Sequence, residues 1–188
     1  MFPATRKTAI AISLLFAAVS ICYAVEDDFG SASKVEGKHF TIYYATQLDI
    51  PSLLQQLNIQ PSDKILAGES VNKDTSYDEL GMADMVDTLF MRVCDILDMH
   101  LYSFQGNIKI CKDSEHLNRI YKNLFDKNIQ AGSFYVYSLN TIYISKDTFK
   151  RGILGHEIAH AIMSCYFVVQ PSVKIQEVLA GYVEYQLR

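Results

Sequence analysis

Residues 156–160 read H-E-I-A-H, and this spacing constrains the fold because it brings its groups together only on a helix. Residues four apart lie on one helix face, so His156 and His160 can point at the same metal ion. Glu157 lies about 100° further round, at the rim of that site. Two neutral imidazoles favour Zn²⁺, and a nearby carboxylate can take a proton from a zinc-bound water. The motif therefore predicts a hydrolytic zinc site with Glu157 as general base.

The helix that carries the motif is predicted over residues 148–167, with Asp147 as its N-cap. At about 100° per residue, its apolar side chains form one stripe suited to the core: Leu154, Ile158, Ala161, Ile162 and Cys165. Both motif histidines lie on the opposite side, where core packing explains them poorly. The alternative is a pair of solvent-exposed histidines that are four apart by chance. Cys165 is expected to be a buried, inert thiol.

A catalytic zinc site needs a third protein ligand, and few residues after His160 can supply one. Glu177 and Glu184 are the acidic residues that follow, and no further histidine exists downstream. A last helix is predicted over 173–187, and its acidic and small residues share one stripe: Glu177, Ala180, Gly181 and Glu184. Small residues allow close approach to the motif helix, which favours Glu177 as a ligand over a solvated first-turn acid. Glu184 either orients a ligating histidine or is a surface charge.

Residues 1–24 have the features of an export signal. Arg6 and Lys7 precede an uncharged apolar run, and small residues close it. The run is shorter than the roughly 20 residues that a spanning helix needs, which favours cleavage over a retained membrane anchor. Without Arg6 and Lys7 the remaining chain has 15 basic and 21 acidic residues and so a net charge of −6, which argues against a nucleic-acid partner. We expect a periplasmic or extracellular protein, with membrane contact only if residues 1–24 are retained.

The patterning predicts one α+β domain over residues 38–188, with a small mixed sheet, after a flexible lead-in over 25–37. Strands are predicted at 39–44, 107–111, 133–137 and 141–145, the last two as a hairpin. Helices are predicted at 51–57, 77–101, 113–125, 148–167 and 173–187. The alternation within 141–145 is typical of a half-buried strand. A disulfide between Cys94 and Cys111 and a pair of free thiols are equally open.

The stretch HEIAH followed by QEVLAGYVEY resembles the gluzincin branch of the zincin metallopeptidases, especially the small peptidase MA-like domains. The resemblance covers residues 133–188 well and the N-terminal half only in the order of its elements. It implies that His156, His160 and Glu177 bind zinc, and that Glu157 is the general base and later the proton donor. It also implies that the strand in 140–145 is the sheet edge that aligns an extended substrate beside the cleft.

The chain departs from this family in two respects. Thermolysin-type members carry an aspartate four residues after the ligand glutamate, whereas this chain has Gly181, so the histidine-orienting partner is left open. The sequence also ends eleven residues after Glu177, without the C-terminal domain that forms one wall of the cleft in larger relatives.

The expected function is an exported zinc-dependent peptidase that acts on a peptide or protein substrate. One alternative is a non-catalytic exported binding module with a zincin-like shell, although such a module would not need Glu157. Another is a zinc hydrolase of a non-peptide bond such as a cell-wall amide, which nothing in the sequence separates from peptide cleavage. Four tyrosines are candidates to stabilise the oxyanion: Tyr135, Tyr137, Tyr182 and Tyr185.

Overall fold

The structure, a computed structural model, describes residues 27–59 and 79–188, where one five-stranded sheet packs with five helices. The strands are β1 (Ala32–Glu36), β2 (Phe40–Ala45), β3 (Gly106–Cys111), β4 (Ser133–Val136) and β5 (Thr141–Ser145). The helices are α1 (Ile50–Leu57), α2 (Glu79–Leu97), α3 (Ser114–Phe125), α4 (Arg151–Tyr166) and α5 (Val173–Gln186). The predicted α+β class is confirmed for these residues. The predicted signal in 1–24 lies outside them.

The sheet is mixed and has the spatial order β1-β2-β3-β5-β4. The strands β2, β3 and β5 are parallel, and β1 and β4 flank them in antiparallel orientation. Because β5 lies between β3 and β4, its backbone groups pair on both sides, and the predicted edge role of 140–145 is wrong. The edge strands are β1 and β4, and β4 is the edge next to β5. All five residues of β5 are buried, so the predicted half-buried pattern is also wrong.

The main core lies between one sheet face and the helices α2 and α4. Side chains alternate along a strand, so every second residue of the central strands points into this layer. These residues are fully buried: Ile42, Ile108, Ile110, Ile142 and Ile144. The helix α2 is buried over most of its length, with Val86, Leu89 and Phe90 fully enclosed. The buried side of α4 packs against this layer, which fixes the position of the helix.

The opposite sheet face is covered in part by α3 and by residues 27–30. Phe29 packs with Leu117, Ile120 and Tyr143 in a second apolar cluster. Asp27 accepts hydrogen bonds from the Lys109 amine and the Tyr143 hydroxyl. With β1 paired along β2, residues 27–36 are part of the folded unit. The flexible lead-in predicted for 25–37 is therefore wrong over these residues, and the domain begins before residue 38.

All three cysteines in the described residues are free. Cys94 packs in the main core and Cys111 in the cluster on the other sheet face, so the sheet separates them and no disulfide forms. Burial raises the pKa of Cys94 to about 11 and that of Cys111 to about 12. Cys165 is exposed, contrary to the prediction, because the last turn of α4 extends past the buried Met163.

None of the helices in residues 27–59 and 79–188 has the length and apolar character needed to cross a bilayer.

Candidate metal centre

The motif helix α4 starts later than predicted. It begins at Arg151, and its N-cap residue, Lys150, makes no side-chain capping bond. Asp147 lies instead in a 3₁₀ turn over Lys146–Thr148, where the Ser145 hydroxyl accepts a hydrogen bond from its backbone N–H at 3.3 Å. The expected N-cap role of Asp147 is therefore wrong, because this extra turn separates it from the helix.

The predicted core stripe of α4 is buried and the two histidines lie on the other side, as the sequence predicts, apart from the exposed Cys165. The stripe of Leu154, Ile158, Ala161 and Ile162 is fully buried in the main core. His156 and His160 lie on the side that faces α5, and each keeps partial access to solvent. This arrangement places two imidazoles in the groove between the last two helices.

The close approach of α5 to α4 depends on glycines of α4. A Cβ atom on Gly155 would lie 2.2 Å from Cδ1 of Leu187, and one on Gly152 would lie 3.3 Å from Cγ of Glu184. Ala180 is fully buried at the contact, as predicted. Gly181 is not part of it, since a Cβ there would meet nothing within 4 Å. The packing signal was the pair of glycines three apart in α4, which the sequence reasoning missed.

The predicted metal ligands His156, His160 and Glu177 lie together. The Nε2 atoms of the two histidines are 3.2 Å apart. The Glu177 carboxylate has one oxygen 3.6 Å from Nε2 of His156 and the other 3.4 Å from Nε2 of His160. Two of these side chains come from α4 and one from the first turns of α5, so the glycine contact sets the two distances to Glu177.

The separation of the two imidazole nitrogens fits a tetrahedral ion. Ligand atoms about 2.0–2.1 Å from Zn²⁺ at tetrahedral angles are separated by about 3.3–3.4 Å. The two Nε2 atoms, 3.2 Å apart, match that value. Glu177 approaches the two histidines through different oxygens, and one ligand atom from each of the three residues lies within 4.8 Å of the other two. Two imidazoles and one carboxylate also form a ligand set that leaves one position open in catalytic zinc sites. The residues therefore could hold one metal ion, and their donor atoms are of the kinds that Zn²⁺ accepts.

Glu184 lies behind His156, on the side away from Glu177. Its carboxylate is 3.5 Å from Nδ1 of His156, and it also accepts a 2.7 Å hydrogen bond from Arg188. The contact with Nδ1 is longer than a standard hydrogen bond, but that nitrogen is buried and has no closer partner in the described residues. Glu184 thus occupies the place of a histidine-orienting carboxylate, seven residues after Glu177 rather than four.

Glu157 is buried beside the two histidines. Its side chain accepts a 2.7 Å hydrogen bond from the Ser133 hydroxyl on β4. Burial raises the pKa of Glu157 to about 7, the Ser133 bond opposes this rise, and the Glu177 charge adds to it. Burial, and then the neighbouring His156, lower the pKa of His160, which favours the neutral imidazole that a metal requires.

A cleft of about 440 Å³ opens over these residues between β4 and α5. Tyr135 and Tyr137 line it, whereas Tyr182 and Tyr185 do not, which leaves two of the four oxyanion candidates. The Tyr135 hydroxyl donates a 3.0 Å hydrogen bond to Oδ1 of Asn140 and lies 2.8 Å from the Ser164 hydroxyl.

The cleft contains polar residues that sequence reasoning missed: Ser133, Ser164, Gln170 and Gln176. Ser133 lies 24 residues before Glu157, and no local pattern marks it. A larger cleft of about 860 Å³ lies on the other sheet face. There the Lys109 amine and the Asp27 carboxylate already pair with each other, so the smaller cleft is the better candidate site.

Comparison of the chain with family models, curated proteins and solved structures finds no match. The zincin resemblance therefore stays a prediction, which depends on the HEIAH motif, on Glu177 and on the geometry described above.

Proposed function

We propose that this protein is an exported zinc-dependent peptidase with a zincin-like fold. In this proposal His156, His160 and Glu177 hold the zinc, and Glu157 is the general base for hydrolysis of a peptide bond. Export rests on the sequence of residues 1–24 alone.

One observation carries the proposal: one ligand atom each from His156, His160 and Glu177 lies within 4.8 Å of the other two, beside the buried Glu157 carboxylate. Exposed histidines placed by chance have no reason to converge with a glutamate from another helix. Nor does a binding module need a carboxylate whose pKa is raised to about 7, close to the working pH of a general base.

The chemistry divides between the metal and the protein's own side chains. Bound Zn²⁺ would lower the pKa of water toward about 7 and polarise the scissile carbonyl. Glu157 accepts the proton of the attacking water and returns it to the leaving amine. The Ser133 hydroxyl holds the Glu157 carboxylate in place. Tyr137 and Tyr135 are the candidates to donate a hydrogen bond to the developing oxyanion, and Tyr135 would have to give up its bond to Asn140 to do so.

The edge strand β4 offers a way to align an extended substrate. In the described residues β4 pairs with β5 alone, so its outer backbone groups are open to another strand. Ser133 and Tyr135 of this strand line the cleft, so a peptide paired with β4 would run past Glu157. This assigns to β4 the role that the sequence assigned to residues 140–145.

Two other functions are compatible with the same metal site. A binding module with a zincin-like shell would hold metal and peptide without turnover. A zinc hydrolase of a cell-wall amide would use the same residues on another substrate. The β4 edge favours a peptide, because main-chain pairing needs a series of peptide groups.

The Glu157→Gln variant separates the enzyme from the binding module. Glutamine keeps the shape of the side chain but cannot accept a proton, so we expect zinc content to be retained. Turnover of a broad peptide library should fall by roughly 10²-fold or more. Equal turnover in both proteins would indicate a contaminating protease. A zinc-loaded wild type that cleaves no peptide would favour the binding module.

A further inference from the structure

The outer side of α5 carries an apolar surface that no described residue covers. Its members on α5 are Ile175, Val178, Tyr182 and Tyr185, and it also includes Tyr166, the last residue of α4, with Val168 and Val169 of the following loop. We call these seven residues the outer patch. Each is at least 47% exposed, and Val168 is fully exposed. None of the seven is charged.

The outer patch makes α5 apolar on two faces. At about 100° per residue, the four patch members on α5 fall within an arc of about 80°. Across the helix, Ala180, Val183 and Leu187 are buried against the rest of the fold. A surface helix normally has one apolar face and one polar face, and a helix that is apolar on both is normally covered on both. Only one face of α5 is covered within the described chain.

We propose that the outer patch joins two copies of this chain about a two-fold axis. Seven exposed side chains of valine to tyrosine size amount to on the order of 800 Å², the area each partner gives to a standard interface. The largest apolar patch of a typical monomer is smaller, at roughly 300–600 Å². A membrane is a less suitable partner for the outer patch, because residues 25–188 have a net charge of −6 and the patch holds no basic residue.

The stripe on α5 suits packing against its own copy. In an antiparallel pair of α5 helices, Ile175 of each copy faces Tyr185 of the other copy. The two contacts are then equivalent, as a two-fold axis requires. Lys174 borders the stripe, and in this pairing it lies near the C-terminal carbonyls of the opposite α5, whose partial negative charge it complements. Glu177 lies about 120° from the centre of the stripe, so both clefts stay open.

Sedimentation equilibrium of the purified protein, from about 1 to 100 μM, tests the proposal. We expect a monomer–dimer equilibrium for the wild type. Val178→Glu places a charge in the interface and should raise the dimer Kd at least about tenfold. Tyr102→Glu, at a position 96% exposed and outside the patch, should leave the Kd unchanged. A wild type that stays monomeric at about 100 μM, or a Val178→Glu variant that dimerises as before, would overturn the proposal.

A cross-linking measurement covers the case in which Val178→Glu does not fold. Tyr182 lies two residues from the midpoint of the stripe, so Tyr182→Cys with Cys165→Ser should form an intermolecular disulfide under mild oxidation. Tyr102→Cys with Cys165→Ser should not, and equal cross-linking of both would refute the interface. Association should persist in His160→Ala, so this result does not depend on the proposed zinc chemistry. Binding of a monomer to phosphatidylcholine vesicles through the patch would instead assign it to a membrane.

Discussion

Gly155→Ala should destabilise the protein, although glycine-to-alanine changes inside helices usually stabilise. Alanine gains about 0.8–1.0 kcal/mol over glycine in a helix interior. At residue 155, however, the added Cβ would lie 2.2 Å from Cδ1 of Leu187. Leu187 is 3% exposed and has little room to move away. Overpacking of this kind costs about 1–3 kcal/mol, so we expect a net loss of about 1 kcal/mol.

The same substitution at Gly181 is the matched control. A Cβ there meets nothing within 4 Å, so the helix-propensity gain should appear undiminished, at about 0.8–1.0 kcal/mol. Denaturant unfolding at low protein concentration, followed by circular dichroism, measures both variants. The free energy of unfolding should fall in Gly155→Ala and rise in Gly181→Ala. Equal stabilisation would refute the close contact between α4 and α5.

The Gly155 contact also sets the position of Glu177. If Leu187 moves to admit the alanine methyl group, α5 shifts away from α4 and carries the Glu177 carboxylate away from the histidines. Zinc affinity, measured by competition with a chromophoric chelator, should therefore fall in Gly155→Ala and stay at the wild-type value in Gly181→Ala. Unchanged affinity in Gly155→Ala would show that the helix contact does not control the ligand spacing.

Three further changes test the surroundings of the site. Ser133→Ala removes a hydrogen bond that favours the ionised form of Glu157, so the pKa of Glu157 should rise. The acidic limb of the kcat/KM profile should then move to higher pH, and an unmoved limb would show that Ser133 does not tune Glu157. Glu184→Gln should weaken zinc binding about 10–100-fold through His156, whereas unchanged affinity would make Glu184 a surface charge. Of the three cysteines in the described residues, a thiol reagent should label only Cys165 in the native protein. Rapid labelling of Cys94 or Cys111 would contradict their burial and raised pKa values.

The elements of the fold were largely predictable because local periodicity reports which face of each element is apolar. The strands at 40–45, 106–111 and 141–145 and all five described helices lie within a few residues of their predicted bounds. The order of the strands was not predictable, since β5 reaches the sheet interior through pairing with β3, which lies 30 or more residues away in sequence. β1 was missed because its polar sequence has no strand alternation.

The candidate site was predictable where its chemistry is local. The i, i+4 spacing places His156 and His160 on one face, and few residues after His160 can serve as the third ligand. The contact between α4 and α5 was not predictable, because it depends on the fit of Gly155 against Leu187, a pair 32 residues apart. Ser133 was missed for the same reason, since its hydroxyl meets Glu157 only through the position of β4.

The most direct test of the proposed function is the rate of peptide hydrolysis through a cycle of metal removal and return. The purified wild type is assayed as isolated, after dialysis against a chelator, and after one equivalent of Zn²⁺ is added back. The same cycle is applied to His160→Ala. We expect wild-type activity to disappear with the metal and to return with zinc, and His160→Ala to stay inactive throughout. Full activity after chelation, or equal activity in His160→Ala, would contradict it.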